Sequence, residues 1–245
     1  MNNVPTFSDT KRSFYSLHTR PINSIYRRVV EELMVEMHLL WVNVDFRYDP
    51  IYALGVVSSF DQFMQGYTPP DDKVSIFNSL CKALGDDPQR YQEDAQRLQG
   101  VATGSNGPAI LAGLTLSDTA PGTEQLREMA EAIASNPKFK YSRLFAIGLF
   151  NLLQMANPEM VKDEKELASA LKQVCDTLNL PKDKLQKDLE LYRSNLEKMN
   201  QARSVMADIL QADRKKQEQR LKEKNAPLSQ GDSTEEGQAS DTPQE

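Results

Sequence analysis

The chain has 245 residues, 39% of them hydrophobic and 26% charged, with 29 Lys and Arg against 35 Asp and Glu, a net charge of −6. That length allows a substantial core, and the acidic balance without a basic tail argues against nucleic acid as a partner. Two cysteines far apart, Cys81 and Cys175, with no CxxC pair, argue against a disulfide framework and fit reduced thiols.

In chain order, the opening "MNNVPTFSDTKR" lacks the apolar stretch of a signal peptide and the Arg/Ser bias of a transit peptide. A first helix is expected near Ser8–Leu17. From Ile22 to Asn43 the apolar residues Ile22, Ile25, Tyr26, Val29, Val30, Leu33, Met37, Leu40 and Trp41 recur at helical spacing. The opposite face carries Arg27, Arg28, Glu31 and Glu32, which form i,i+4 pairs of about 0.3 kcal/mol each.

Further helices are expected over 50–65, 71–84, 88–101, 123–135, 141–156, 159–178 and 181–224. Prolines mark their starts: Asp49-Pro50, Pro69-Pro70, Asp87-Pro88, Asn136-Pro137, Asn157-Pro158 and Leu180-Pro181. Proline suits the first helical turn, where its missing N–H had no partner, and a preceding Asp or Asn can cap. The segment "GVATGSNGPAILAGLTLSDTAPG" reads as a long connection around one short helical turn. The most apolar run, Leu144–Leu153, is too short to cross a bilayer.

After Pro181, Leu185, Leu189, Tyr192, Leu196, Met199, Arg203, Met206 and Leu210 form a coiled-coil-like seam interrupted by one arginine. Beyond it comes a polar, helix-prone arm with Arg214, Lys215, Lys216, Arg220, Lys222 and Lys224. The last 21 residues, 225–245, have the acidic, apolar-poor composition of a disordered tail. The fold class is all-α: a single helical bundle over residues 1–180, a long amphipathic helix over 181–224, and the tail.

Motifs for chemistry fail one by one. A di-iron bundle site needs Glu-x-x-His on two helices, whereas Glu36 and His38 are two apart and Tyr15, not Glu, lies three before His18. Cys81 and Cys175 share spacing with apolar neighbours, as core residues do. No nucleophile elbow or phosphate-binding Gly-Lys-Ser/Thr loop occurs. No metal ligand, cofactor or catalytic residue is expected. Met34, Met37 and Trp41 belong either to the core or to a pigment pocket. Lys11, Arg12, Arg20, Arg27 and Arg28 are either a face for anionic lipid or an acidic partner, or a solvated face neutralised by Glu31 and Glu32.

One resemblance goes further. "FYSLHTRPI", "YRRVVEELMVEMHLL" and "YDPIYALG", within Ser8–Tyr67, closely resemble the opening of the thylakoid formation (photosystem II biogenesis) protein family, and the likeness continues through "NPKFKYSRLFAIGLFNLL" into the long last helix. It implies a helical, non-enzymatic protein of the cyanobacterial type, peripheral on the cytoplasmic side of the thylakoid membrane. The implied partner is the FtsH membrane protease complex, whose accumulation it would support for photosystem II biogenesis and repair. Photosystem II assembly components are further implied partners. The runner-up is a chlorophyll-binding helical module. Candidate partner-contact residues are Arg12, His18, Arg20, Arg27, Arg28, Arg214, Lys215, Lys216 and Arg220, with the Arg/Glu/His side chains of the opening stretch expected on the surface. Trp41 stands where a smaller residue is expected.

Overall fold

In the computed structural model, residues 4–117 and 121–224 are described, with backbone alone for 210 and 221–224. The expected disordered tail, 225–245, and the side chains of Leu210, Lys222 and Lys224 lie outside the described residues.

Every described element is a helix: α1 Phe7–Leu17, α2 Ser24–Trp41, α3 Pro50–Phe63, α4 Pro70–Ala83, α5 Pro88–Gly104, α6 Gly107–Leu114, α7 Glu124–Ala134, α8 Arg143–Ala156, α9 Pro158–Lys162, α10 Glu164–Leu178 and α11 Lys182–Lys224. The all-α class therefore holds. Caps set most of the starts. The Asp49 and Asp87 carboxylates and the Asn157 amide oxygen accept backbone N–H bonds from Tyr52, Gln89 and Met160, each just before a proline in the first turn.

Three local expectations need correction. The connection after α5 contains a full eight-residue helix, α6, started by Asn106 accepting from the Ala109 N–H at 2.9 Å. Gly107 is needed there because a Cβ would meet the Asn157 side chain at the start of α9. The expected helix over 159–178 is two helices, because Asp163 takes an extended conformation and accepts from the Lys165 and Glu166 N–H groups as a new N-cap. Asn136-Pro137 does not start a helix. It forms a turn, and α8 begins at Arg143 with Ser142 accepting from the Phe145 N–H.

The chain divides into two units, Met1–Asn200 and Gln201–Glu245. The first extends past the expected boundary at 180 because Leu185, Leu189 and Tyr192 are buried in its core, with Met199 also buried. That core has two clusters divided by α3. Ile51 and Leu54 join the cluster built from α5 to α8, α10 and the start of α11, while Tyr52, Ala53, Val56 and Phe60 join the one built from α1, α2 and α4. A helix buried on every side is apolar all round, as "PIYALGVVSSF" is. α3 meets α8 so closely that a Cβ on Gly55 would run into the Leu144 carbonyl, and one on Gly148 into the Ile51 carbonyl. Only glycine fits these positions, since the backbones themselves are in contact.

Candidate interaction surface

The opening stretch builds a sandwich of α1 between α2 and α4, and nearly every polar group in it has a local partner. Thr6 and Asp9 form a reciprocal capping box at the start of α1. The Thr6 hydroxyl and backbone N–H hold the Asp9 carboxyl below its ordinary range. Arg12 reaches the same carboxylate at 3.4 Å. Lys11 pairs with Glu31 across the helices at 3.1 Å, and the Tyr15 hydroxyl donates to Glu31 at 2.8 Å. Desolvation opposes ionisation of Glu31, but the bonds from Tyr15 and Lys11 outweigh it, and the carboxyl stays below its usual range. Burial, with the hydrogen bond to Glu31, pushes the Tyr15 phenol up to about 12.

Arg28 pairs with Glu32 at 2.9 Å, and Arg20 pairs with the buried carboxylate of Asp72 at the start of α4. Arg27 is exposed. Of the five N-terminal cations, four therefore have carboxylate partners, and the local excess read from sequence is largely cancelled.

The histidines are not on the surface. His18 is 2% exposed, and its Nδ1 lies 2.9 Å from the Ser75 hydroxyl of α4. His38 is also buried, with Nδ1 2.9 Å from the Thr10 hydroxyl of α1 and its ring edge-on to Phe7. The two imidazoles tie α1 to α4 and to α2. A helical wheel drawn through α2 alone puts His38 between Arg27 and Glu31, so periodicity groups it with the polar face, and it is the packing of α1 on α2, through Thr10, that buries it. Burial lowers the His18 pKa, so its ring is neutral at physiological pH. As placed, His18 cannot touch a partner.

The chemistry-bearing side chains are likewise packed away. Cys81 and Cys175 are buried free thiols, and burial raises both, Cys175 to about 11. Among the described residues no three His, Cys, Asp or Glu side chains come together as a metal site. Met34 and Met37, weighed as pocket lining, are 0% and 1% exposed and part of the core cluster of α1, α2 and α4. Trp41 departs from the expected stripe and is 40% exposed.

"YDPIYALG" has a structural purpose: Tyr48 donates to Asp94 at 2.8 Å, Arg90 stacks over the Tyr48 ring at 3.6 Å, and Tyr48, Tyr52 and Tyr91 meet edge to face. Neither Arg90 nor Asp94 was legible as its partner, because the pairing joins α5 to residues more than 40 positions earlier.

The second unit presents a different surface. Val205 and Ile209 are 58% and 56% exposed, and every residue from Gln211 to Arg220 is exposed, including Arg214, Lys215, Lys216 and Arg220. The sequence candidates thus fall into two separate groups, one in each unit.

A family model described as thylakoid formation protein matches residues 6–221. Protein Thf1 of Nostoc punctiforme is 60% identical over 235 residues, covering 96% of this chain and all of that protein. Protein Thf1 of Trichormus variabilis is 60% identical over 228 residues, covering 93% of this chain and 98% of its own length. A solved structure of Psb29 is 46% identical, covers 87% of this chain and 98% of its own, and superposes with a TM-score of 0.75. The chain belongs to the thylakoid formation protein family.

Proposed function

We propose that this protein is a non-enzymatic adaptor of the thylakoid that binds the FtsH membrane protease complex, promotes its accumulation, and so supports photosystem II biogenesis and repair. The observation that carries the reading is the likeness to Thf1 proteins over nearly the whole chain. The burial of both thiols and both imidazoles supports it: the groups best suited to catalysis hold the bundle together. Accessible charge offers two candidate contact groups. Arg12, Arg20, Arg27 and Arg28 form one candidate contact group, and Arg214, Lys215, Lys216 and Arg220 the other. Photosystem II assembly components are secondary partners in this reading.

The protein would act as a peripheral component on the cytoplasmic side of the membrane. Among the described residues no helix is long and apolar enough to cross a bilayer. Carbonate or high-salt washing should release it, because exposed charge contacts are screened beyond a Debye length of about 8 Å.

The decisive experiment is affinity purification of the tagged full chain from detergent-solubilised thylakoids, followed by mass spectrometry. Enrichment of FtsH subunits over an untagged control is the expected result. An eluate with no FtsH enrichment would sink the adaptor reading.

A further inference from the structure

The C-terminal end of α2 and the turn after it expose three large apolar side chains within six residues: Leu39 at 62%, Trp41 at 40% and Val44 at 83%. Leu39 and Trp41 are two residues apart, so they diverge by about 200° around the helix axis. Both are nonetheless exposed. It is the end of the helix that is uncovered, as a tip, and not one of its faces.

The charge beside the tip is one-sided. Lys138 and Lys140 approach a single carboxylate, Asp45, at 3.5 and 3.6 Å. Arg47 spends its guanidinium on the neutral carbonyls of Val44 and Phe46, at 2.9 and 2.8 Å, so its charge is not cancelled. The nearest acid on the last turns of α2, Glu36, is already paired with Arg143. Three cations therefore share one carboxylate, Asp45, next to an exposed tryptophan and two aliphatic side chains.

We propose that this tip is a membrane-contact site for a bilayer surface with anionic headgroups. Tryptophan favours the membrane–water interface, where its ring is partly apolar and its N–H stays wet. Leu39 and Val44 would enter the acyl boundary, while Arg47, Lys138 and Lys140 would meet the headgroup phosphates. Charge decides in favour of this occupant. An acidic lipid surface complements the uncancelled cations, whereas a second copy would bring the same positive charge against them. The proposal rests on the peripheral reading above and specifies its contact.

Trp41 is the only tryptophan in the sequence, so its fluorescence reports on this tip alone. The full-length protein is titrated with vesicles of equal parts phosphatidylglycerol and phosphatidylcholine, and with vesicles of phosphatidylcholine only. The anionic vesicles should shift Trp41 emission to the blue, and acyl-chain-brominated lipid should quench it. Neutral vesicles should do so weakly. The double variant Leu39→Ser/Val44→Ser retains Trp41 and alters only exposed side chains. It should melt like the parent and partition about tenfold less onto the anionic vesicles. Lys138→Gln/Lys140→Gln should weaken partitioning and make it less sensitive to salt.

Sedimentation with anionic vesicles while Trp41 emission stays as in buffer would overturn the proposal and leave the peripheral reading intact, with the contact elsewhere. No sedimentation with either vesicle would overturn the proposal too, while FtsH enrichment in the thylakoid eluate would still decide the adaptor reading by itself. A blue shift that grows with protein concentration in the absence of vesicles would make the tip a self-association surface and also reject the lipid contact.

Discussion

Helix α3 and the later turns of α11 are helical for opposite reasons. In α3, nine of 14 residues are buried, including a glycine and two serines, and the helix carries both halves of the core. From Gln211 to Arg220 every residue is exposed. Intrinsic propensity of Lys, Gln, Arg and Glu, worth a few tenths of a kcal/mol per residue over poorer formers, is what favours helix there. Tertiary packing makes α3 intolerant of change, and its absence makes the end of α11 tolerant. Substitutions should therefore cost much in one region and almost nothing in the other.

The largest effect is expected at the α3–α8 crossing. Gly148→Ala places a Cβ against the Ile51 carbonyl, and Gly55→Ala places one against the Leu144 carbonyl. Backbone atoms cannot rotate away as a side-chain end can, so each variant should lose about 3 kcal/mol or more. Thermal melts followed by circular dichroism measure this directly. A Gly148→Ala protein that melts within a degree of the parent would mean that the two backbones are not in contact.

An intermediate effect is expected where a candidate contact residue also supports the fold. Arg20→Ala leaves the Asp72 carboxylate, 5% exposed, without its cation. Since Arg20 is itself largely exposed, the cost should be about 1–2 kcal/mol and not the full penalty of a buried unpaired charge. Arg27→Ala, by contrast, should melt like the parent. If both variants lose the protease equally, only the Arg27 result speaks for direct contact.

How much of this was legible in sequence follows from the same contrast. Helix period and proline-linked caps placed most of the elements, because a cap is a local bond between neighbours such as Asp49 and the Tyr52 N–H. The docking of the first part of α11 was also legible, since Leu185, Leu189 and Tyr192 repeat at seam spacing and are buried. The break at Asp163 carried a local signal, an aspartate with Glu166 three residues on, but the apolar period from Met160 to Leu178 runs across it and reads as one helix. The inward turn of His18 depends on Ser75, 57 residues away, and no local pattern encodes it. The tip at Trp41 was missed because the apolar period of α2 runs on after the neighbouring helices have ceased to cover it.

His18 gives a smaller, pH-dependent effect. Burial lowers its folded-state pKa below the ordinary 6.5, so the unfolded chain takes up the proton first as pH falls. Stability from this group is fully present above pH 6.5 and declines from there down to the folded pKa. Acidification to about pH 5.5 should lower the melting temperature by a few degrees at most, and His18→Asn, which keeps an acceptor or donor for Ser75, should flatten that part of the profile. An unchanged slope in the variant would assign the acid loss to other groups.

The smallest effect on stability, and the one most informative for function, is expected from ending the chain after Asp213. The removed stretch includes Arg214, Lys215, Lys216 and Arg220, all exposed, and among the described residues it holds none of either core cluster. Loss of exposed side chains without core contacts changes stability by about 0.5 kcal/mol or less, so the truncated protein should melt with the parent. The same deletion removes the four cations that make this stretch a candidate for an acidic partner, and co-purification with FtsH should weaken while the fold stays intact. A truncated protein that unfolds would place the end of α11 among the elements that hold the core, erasing the contrast with α3. One that folds and still recovers FtsH as well as the full chain would move the protease contact to the first unit, where Arg27 and Arg28 on the outer face of α2 are the exposed cations to reverse next.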